Sequence, residues 1–399
     1  MSSPLREDVD GSVAILTFDR PDQANTWSVE LHVAYRAALA RLAEDPDVRA
    51  VVVTGAGRHF CAGADMSLLD HIEAGGALPP ELDAATFLEP LDFPKPLIAA
   101  VNGSAAGIGL VHALLCDVRF ASAEAVFTTA FTRRGLVAEH GTSWLLPQVV
   151  GRAHALDMLL SARRVRAEEA QRIGLVHAVC PAGEELERAV AYAQDLAQHC
   201  SPAAMAVVKQ QVTRHAVMEV HASEAETVDL VDQSLEGPDF TEGVRSFVER
   251  RPADFPPLGG GTAFRLPGSV DPLAVTDGFF AATQANDWTA ARALLAPDAV
   301  VRTHPGTGAV GVDSLLPSWE RTRQAFGPWE YVDVRRVVGD GAVCEQHVVR
   351  FVDLEVEVES CVVLRFDGRG RIVRLDEYVD ATPVRDARRA RAEAVGATA

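Results

Sequence analysis

Lysine is nearly missing from this 399-residue chain. Lys95 and Lys209 are the only two, and arginine supplies the rest of 37 basic residues set against 56 acidic ones. The net charge of −19 argues against a broad nucleic-acid or anionic-membrane surface, although a local patch can still hold a small anion. Paired cysteines are missing too. The six stand at 61, 116, 180, 200, 344 and 361, with no CxxC and no metal-like spacing with histidine. They read as reduced, mostly buried thiols of a cytosolic protein and supply no metal site. The first eight residues contain no apolar signal-peptide core, and no apolar run approaches membrane-spanning length. These absences predict a soluble, cytoplasmic protein without nucleic-acid or membrane partners.

What is present is apolar material for two cores, at 48% hydrophobic residues over this length. Proline and glycine crowd residues 251–261, a density that propagates neither helix nor central strand. The reading is a first domain over 1–258, a linker over 259–270, a second domain over 271–385 and a tail over 386–399. The first part alternates strands (13–18, 50–54, 97–101) with helical stretches (28–44, 108–116), which favours a layered α/β domain with parallel crossovers. Residues 151–251 read as mostly helical and suit a subunit-contact layer. The second part opens with helices at 272–286 and 289–296. Strands follow at 299–303, 331–338, 342–352, 354–366 and 372–378, the last two joined by a tight turn at 366–371. That order predicts an antiparallel sheet curled on a helix.

Two glycine-bearing loops are the strongest functional signal. The first runs His59-Phe60-Cys61-Ala62-Gly63-Ala64-Asp65-Met66, and the second Asn102-Gly103-Ser104-Ala105-Ala106-Gly107-Ile108-Gly109. Each follows a buried-strand-like run and opens into helical periodicity. Such loops can aim two backbone N–H groups at one point, as a thioester oxygen needs when it becomes an oxyanion. The glycines do not form a dinucleotide fingerprint, since the GxGxxG spacing is missing.

With their flanks, these loops resemble the crotonase (enoyl-CoA hydratase/isomerase) superfamily over roughly residues 5–256. Phe18-Asp19-Arg20-Pro21, Ala24-Asn25, Lys95-Pro96, Cys116-Asp117, Phe131-Thr132-Arg133-Arg134-Gly135-Leu136-Val137, Gly174-Leu175-Val176 and Glu242-Gly243-Val244-Arg245-Ser246-Phe247 extend the match. The resemblance implies a ββα spiral fold, an acyl-CoA substrate and an oxyanion hole made by the N–H groups of Ala64 and Ile108. It also implies substrate contacts along Ala24, Ala62, Gly63, Asp65, Met66 and Gly107, with Asp65 ordering its loop, no added cofactor, and a trimer or dimer of trimers. The two glutamates of the family's hydratases correspond here to Val111 and Phe131, neither of which titrates. The loop 136–143 looks like the one from which the family's isomerases supply an acidic residue. Glu139 is therefore the expected acid/base, with His140 and Phe131 beside the substrate. This favours an enoyl-thioester isomerase; a hydratase, a C–C bond hydrolase and a non-catalytic thioester-binding scaffold stay open. The family's phosphate-site lysines read Asp22 and Ser67 here. Arg58, Arg250 or Arg251 would then take that role, and a carrier-protein thioester remains an alternative to coenzyme A.

From about 271 to 385 the chain resembles the SnoaL-like group of the NTF2-like superfamily, through its helix pair, its strand order and Leu375-Asp376-Glu377-Tyr378-Val379-Asp380. The resemblance implies a smaller α+β cone with an internal pocket. Alternation puts Arg374, Asp376 and Tyr378 on one strand face and Glu345 with His347 on another, as candidate pocket residues. A non-catalytic pocket or dimerisation module is the preferred reading. The alternating Glu355, Glu357 and Glu359 read as a solvated face.

Overall fold

The computed structural model describes residues 3–396 apart from 78, 83, 265–271, 305–308, 340–341, 368–369 and 381. Half of the expected linker (265–270), the centre of the expected 366–371 turn and the end of the tail (397–399) therefore lie outside the described residues. The chain divides into two compact units: Met1–Ser223 with Val231–Phe264, and Glu224–Leu230 with Arg265–Ala399.

The first unit begins with strands β1 (Leu5–Asp10) and β2 (Val13–Phe18), helix α1 (Val29–Glu44), β3 (Ala50–Gly55), β4 (His59–Cys61) and helix α2 (Met66–Glu73). It continues through β5 (Leu97–Val101), β6 (Ser104–Ala106), helix α3 (Ile108–Leu114), β7 (Val118–Ser122) and β8 (Val126–Thr128). Helix α4 (Thr142–Ser161), β9 (Val165–Arg166), α5 (Ala167–Arg172) and β10 (Ala178–Cys180) come next. Helices α6 (Glu185–His199), α7 (Pro202–His215), α8 (Val220–Glu236) and α9 (Pro238–Glu249) follow. The large sheet has the order β1-β2-β3-β5-β7-β10 and the small one β4-β6-β8-β9. Three times in succession a strand of the large sheet is followed by its partner in the small one, which is a spiral. Apart from β1, the large sheet is parallel throughout.

Parallel strands covered on both sides need apolar residues on both faces, and β5 is buried at every position. One face (Val13, Ala50, Val52, Ile98, Ala100) packs with Ala189 and Ala193 of α6. The other (Leu16, Phe18, Val51, Val53, Leu97) joins Trp27, Leu31, Tyr35 and Phe60 in the main core. Each such large side chain contributes about 1.5–3 kcal/mol by leaving water. Ser28 caps α1, accepting from the Leu31 N–H at 3.3 Å. At the other end of that helix Lys95 Nζ donates to the carbonyls of Leu42 and Asp45, both at 2.6 Å. Lys209 bonds Asp117 and the Lys95 carbonyl. Both lysines of the chain are thus structural.

The second unit contains α10 (Pro272–Ala285), α11 (Trp288–Ala293), β11 (Leu295–His304), β12 (Val310–Gly311), α12 (Val312–Phe326), β13 (Trp329–Gly339), β14 (Ala342–Phe351), β15 (Val356–Phe366), β16 (Ile372–Val379) and α13 (Thr382–Gly396). Its sheet runs β12-β11-β16-β15-β14-β13. Two features differ from the sequence reading. The sheet is mixed, because β11 pairs with β16 in parallel; the long connection between them, through α12 and four strands, allows a crossover that a hairpin could not. Helix α12 was not expected, since Pro317 interrupts its pattern. The Ala- and Arg-rich tail after Thr382, which reads in sequence as frayed or weakly helical, forms α13. As expected, Glu355, Glu357 and Glu359 are exposed.

Candidate active site

The two glycine loops are pressed together by close backbone approach. A Cβ on Gly109 would overlap the Cys61 carbonyl oxygen, and one on Gly103 would overlap that of Arg58. Glycine is required at both positions because a side chain would separate the loops. Gly63 (φ +123°) also faces the Ala106 carbonyl. Within the first loop, Trp27 N–H donates to Gly63 O at 2.8 Å and Asp65 N–H to Trp27 O at 3.0 Å, a parallel bridge. That pattern uses the neighbours of Ala64 and turns its own N–H to the other side, where it has no partner among the described residues. Ile108 is the first residue of α3, after Gly107 (φ +51°), so its N–H has no intrahelical acceptor. The two amides are thus free donors, one of them at a helix N-terminus where the peptide dipoles favour an anion.

Side chains that the sequence identified only as landmarks hold the first loop. Asn25, fully buried at φ +54°, donates from Nδ2 to the carbonyls of Ala56 (2.9 Å) and His59 (2.6 Å) and accepts from Arg20 N–H. Arg20 bonds the Thr26 carbonyl and ion-pairs with Asp65 at 2.7 Å. Asp65 in turn accepts from the Ser67 N–H and hydroxyl, capping α2. Burial alone would raise the Asp65 carboxyl, but these hydrogen bonds and the Arg20 charge hold it below its ordinary value. Asp65 orders its loop. The Ala62 N–H donates to the Ala24 carbonyl, tying another pair of expected contact residues, whereas Met66 is exposed. A buried polar residue in a left-handed loop is the signal by which Asn25 could have been found.

The second wall is the loop between β8 and α4. Phe131 is buried, with its ring edge about 4.0 Å from where a Gly107 Cβ would stand. Val111 is fully buried in α3. At the far end His140 (φ +48°) stacks on Phe87, centroids 4.0 Å apart, and Gly141 packs on Leu88. Glu139 lies between these anchors. Its carbonyl accepts from the Thr142 N–H and hydroxyl, while its half-buried carboxyl has no hydrogen-bond partner among the described residues. Burial raises the Glu139 pKa above 4.5.

Sequence reasoning singled out His140 but did not bring His32 and His112 together with it around Phe87. His32 sits 4.5 Å from that ring and is pushed down to about 4, first by burial and then by the Arg36 charge. His112 stacks on Trp27 at 3.7 Å and is held well below its ordinary value by burial. Burial lowers His140 as well. Of the three arginines considered for phosphate, Arg251 is engaged by Glu242 and Glu249, while Arg58 and Arg250 are exposed without ion pairs among the described residues. Among the described residues no cluster of metal-ligating side chains is found, and no helix is long and apolar enough to cross a membrane.

In the second unit the structure corrects one expectation. The cavity is faced by Leu375, Glu377 and Val379 of β16, so Arg374, Asp376 and Tyr378 point the other way. Arg374 Nε instead bonds Asp376 at 2.6 Å. His347 lines the cavity, with Glu345 behind it.

Comparison with known proteins agrees with this geometry. Residues 8–257 match the enoyl-CoA hydratase/isomerase family model, and 276–375 match that of the SnoaL-like domain. A Rhodobacter capsulatus protein named "Probable enoyl-CoA hydratase" is 36% identical over 63% of this chain and 97% of its own length. The 1,2-epoxyphenylacetyl-CoA isomerase of Escherichia coli is 33% identical over 62% and 96%. The crystal structure of an enoyl-CoA hydratase from Polaromonas sp. JS666 superposes with a TM-score of 0.59 at 30% identity, covering 63% of this chain and 99% of that one. Free amide donors on two clamped loops, at positions within a match this long, lead to one assignment: the chain belongs to the enoyl-CoA hydratase/isomerase family of enzymes and has a SnoaL-like domain after its catalytic-type unit.

Proposed function

We propose that the first unit is an enoyl-thioester isomerase acting on acyl-CoA without any added cofactor. Glu139 as carboxylate removes a proton from the carbon next to the thioester carbonyl. The C–H electron pair forms the enolate, whose oxygen is held by the N–H groups of Ala64 and Ile108. Glu139 then returns the proton two carbons further along, and the double bond shifts by one position. Each amide donor is worth about 2.7–4 kcal/mol in such a step.

The observation that supports this reading is the unpartnered Glu139 carboxyl, raised by burial, in a site where Val111 and Phe131 carry no titratable group. One carboxyl suits moving one proton; adding water across a double bond is served better by two. Exposed Val212, Val217, Val244, Phe247 and Val248 on α7, after it and on α9 support a trimer or hexamer, which light scattering tests.

The test is Glu139→Gln assayed for double-bond migration, hydration and deuterium exchange at C2 of one enoyl-CoA. Migration and exchange are expected to fall about 10²–10⁴-fold. The wild-type rate is expected to rise with pH along a limb above 4.5, since the ionised form is the base and burial disfavours it. Unchanged migration in the variant, or wild-type hydration far exceeding migration, defeats the reading.

A further inference from the structure

The second unit encloses a cavity of about 520 Å³ that the thioester reaction does not use. Small-molecule pockets run from roughly 300 to 1,000 Å³. One wall is aromatic, with Phe279, Phe280, Trp319, Phe326, Trp329 and Phe351. The sheet wall differs, and strand register explains why. Arg336 lies opposite Glu345, Glu345 opposite Val362, Val362 opposite Glu377, and Glu377 opposite Thr303, a row across five strands. In the next row His347 lies opposite Ser360 and Ser360 opposite Val379. Cross-strand partners share a face, so these polar groups stand together on the inner side.

His347 is 2% exposed, and its Nδ1 lies 2.6 Å from Glu345 Oε1. The other Glu345 oxygen accepts from Arg336 Nε at 2.5 Å, and Arg336 reaches Asp277 at 2.6 Å. A carboxylate on Nδ1 makes that nitrogen the donor, so that in the neutral ring Nε2 is an acceptor, without a partner among the described residues. Ser360 is 1% exposed and stands between the lining residues Val358 and Val362, yet its hydroxyl has no partner among the described residues. Leaving such a group unpaired is costly. Glu377 lines the cavity and receives the Thr303 hydroxyl at 3.3 Å. Burial raises its pKa against the pull of Thr303 and His347, biasing it toward the proton-bearing donor form. Tyr331, in contrast, is already used by Trp329 and Thr283.

We propose that this cavity is a binding site for a neutral aromatic alcohol, its ring against the aromatic wall and its hydroxyl between His347 and Glu377. The neutral His347 ring offers an acceptor, which demands a donor that a ketone lacks, while Glu377 in its proton-bearing form donates to the ligand oxygen. A permanently charged ligand would lose its hydration against aromatic walls.

The experiment titrates the full-length protein with 2-naphthol and with naphthalene, which fits the same walls without the hydroxyl. One 2-naphthol per chain is expected to bind at least tenfold more tightly than naphthalene. In His347→Phe the preference is expected to drop below threefold while naphthalene still binds, which shows the cavity intact. Equal affinity for the two probes, binding of neither, or an undiminished preference in His347→Phe overturns the proposal. If His347→Phe loses naphthalene as well, Glu377→Gln, which keeps the side-chain shape, decides: a weakened preference supports the site and an unchanged one overturns it. Isomerase turnover of the wild type does not enter any of these readings.

Discussion

Both units place polar groups in an apolar recess, but they recruit them from different parts of the chain. In the first unit the proposed donors are the backbone amides of Ala64 and Ile108, whose side chains are incidental to that role. In the second unit the polar groups are side chains in register across a sheet, from Arg336 to Thr303. The two sites are therefore vulnerable in different ways. A backbone donor survives every side-chain substitution except proline, which has no N–H; otherwise it can only be displaced, through the glycines and the buried Asn25 that fix its loop. A side-chain row can be dismantled one residue at a time.

The largest effect on this contrast is expected from Glu345→Ala. It removes a fully buried carboxylate that holds both Arg336 and His347, and the second unit should lose about 3 kcal/mol, read by urea unfolding. A loss under about 1 kcal/mol would show that the row is not a connected unit. Gly109→Ala comes next in the first unit. Its Cβ would collide with the Cys61 carbonyl, and turnover of an enoyl-CoA should fall roughly 100-fold as one donor is displaced. Full turnover in a folded variant would sever close approach from donor alignment. Lys95→Met should lower first-unit stability by about 1.5–3 kcal/mol, because the carbonyls of Leu42 and Asp45 lose a charged donor. An unchanged melting temperature would mean that water replaces the lysine without cost. Smallest is Arg374→Ala, whose partly exposed pair with Asp376 is worth under about 1 kcal/mol. Weaker 2-naphthol binding in that variant would contradict the assignment of Arg374 to the outer face.

Much of the first unit was legible because its signals are local. Val51 to Val53 and Leu97 to Val101 are apolar at successive positions, and only a strand covered on both sides needs that. The two glycine loops were visible as motifs, and Val111 and Phe131 as departures from them. The roles of Arg20 and Asn25 were not legible, since their partners Asp65, Ala56 and His59 lie 31 to 45 residues away. The Phe87 environment was missed for the same reason: His32, His112 and His140 come from three separate segments. In the second unit, alternation along β16 separated Arg374, Asp376 and Tyr378 from Glu377 correctly, but it gave no sign of which set faces inward. Helix α12 was hidden by Pro317.

Local sequence was enough for the order of most elements, the family of the first unit and the absence of titratable groups at 111 and 131. Those depend on residue identity and on spacing over a few positions. Tertiary structure alone decided which amides are left free, which face of β16 meets the cavity, and that Glu345 stands behind His347. Each of these depends on what another segment brings to the same point. A hydrogen bond or a buried face is a property of two pieces of chain, and only folding pairs them.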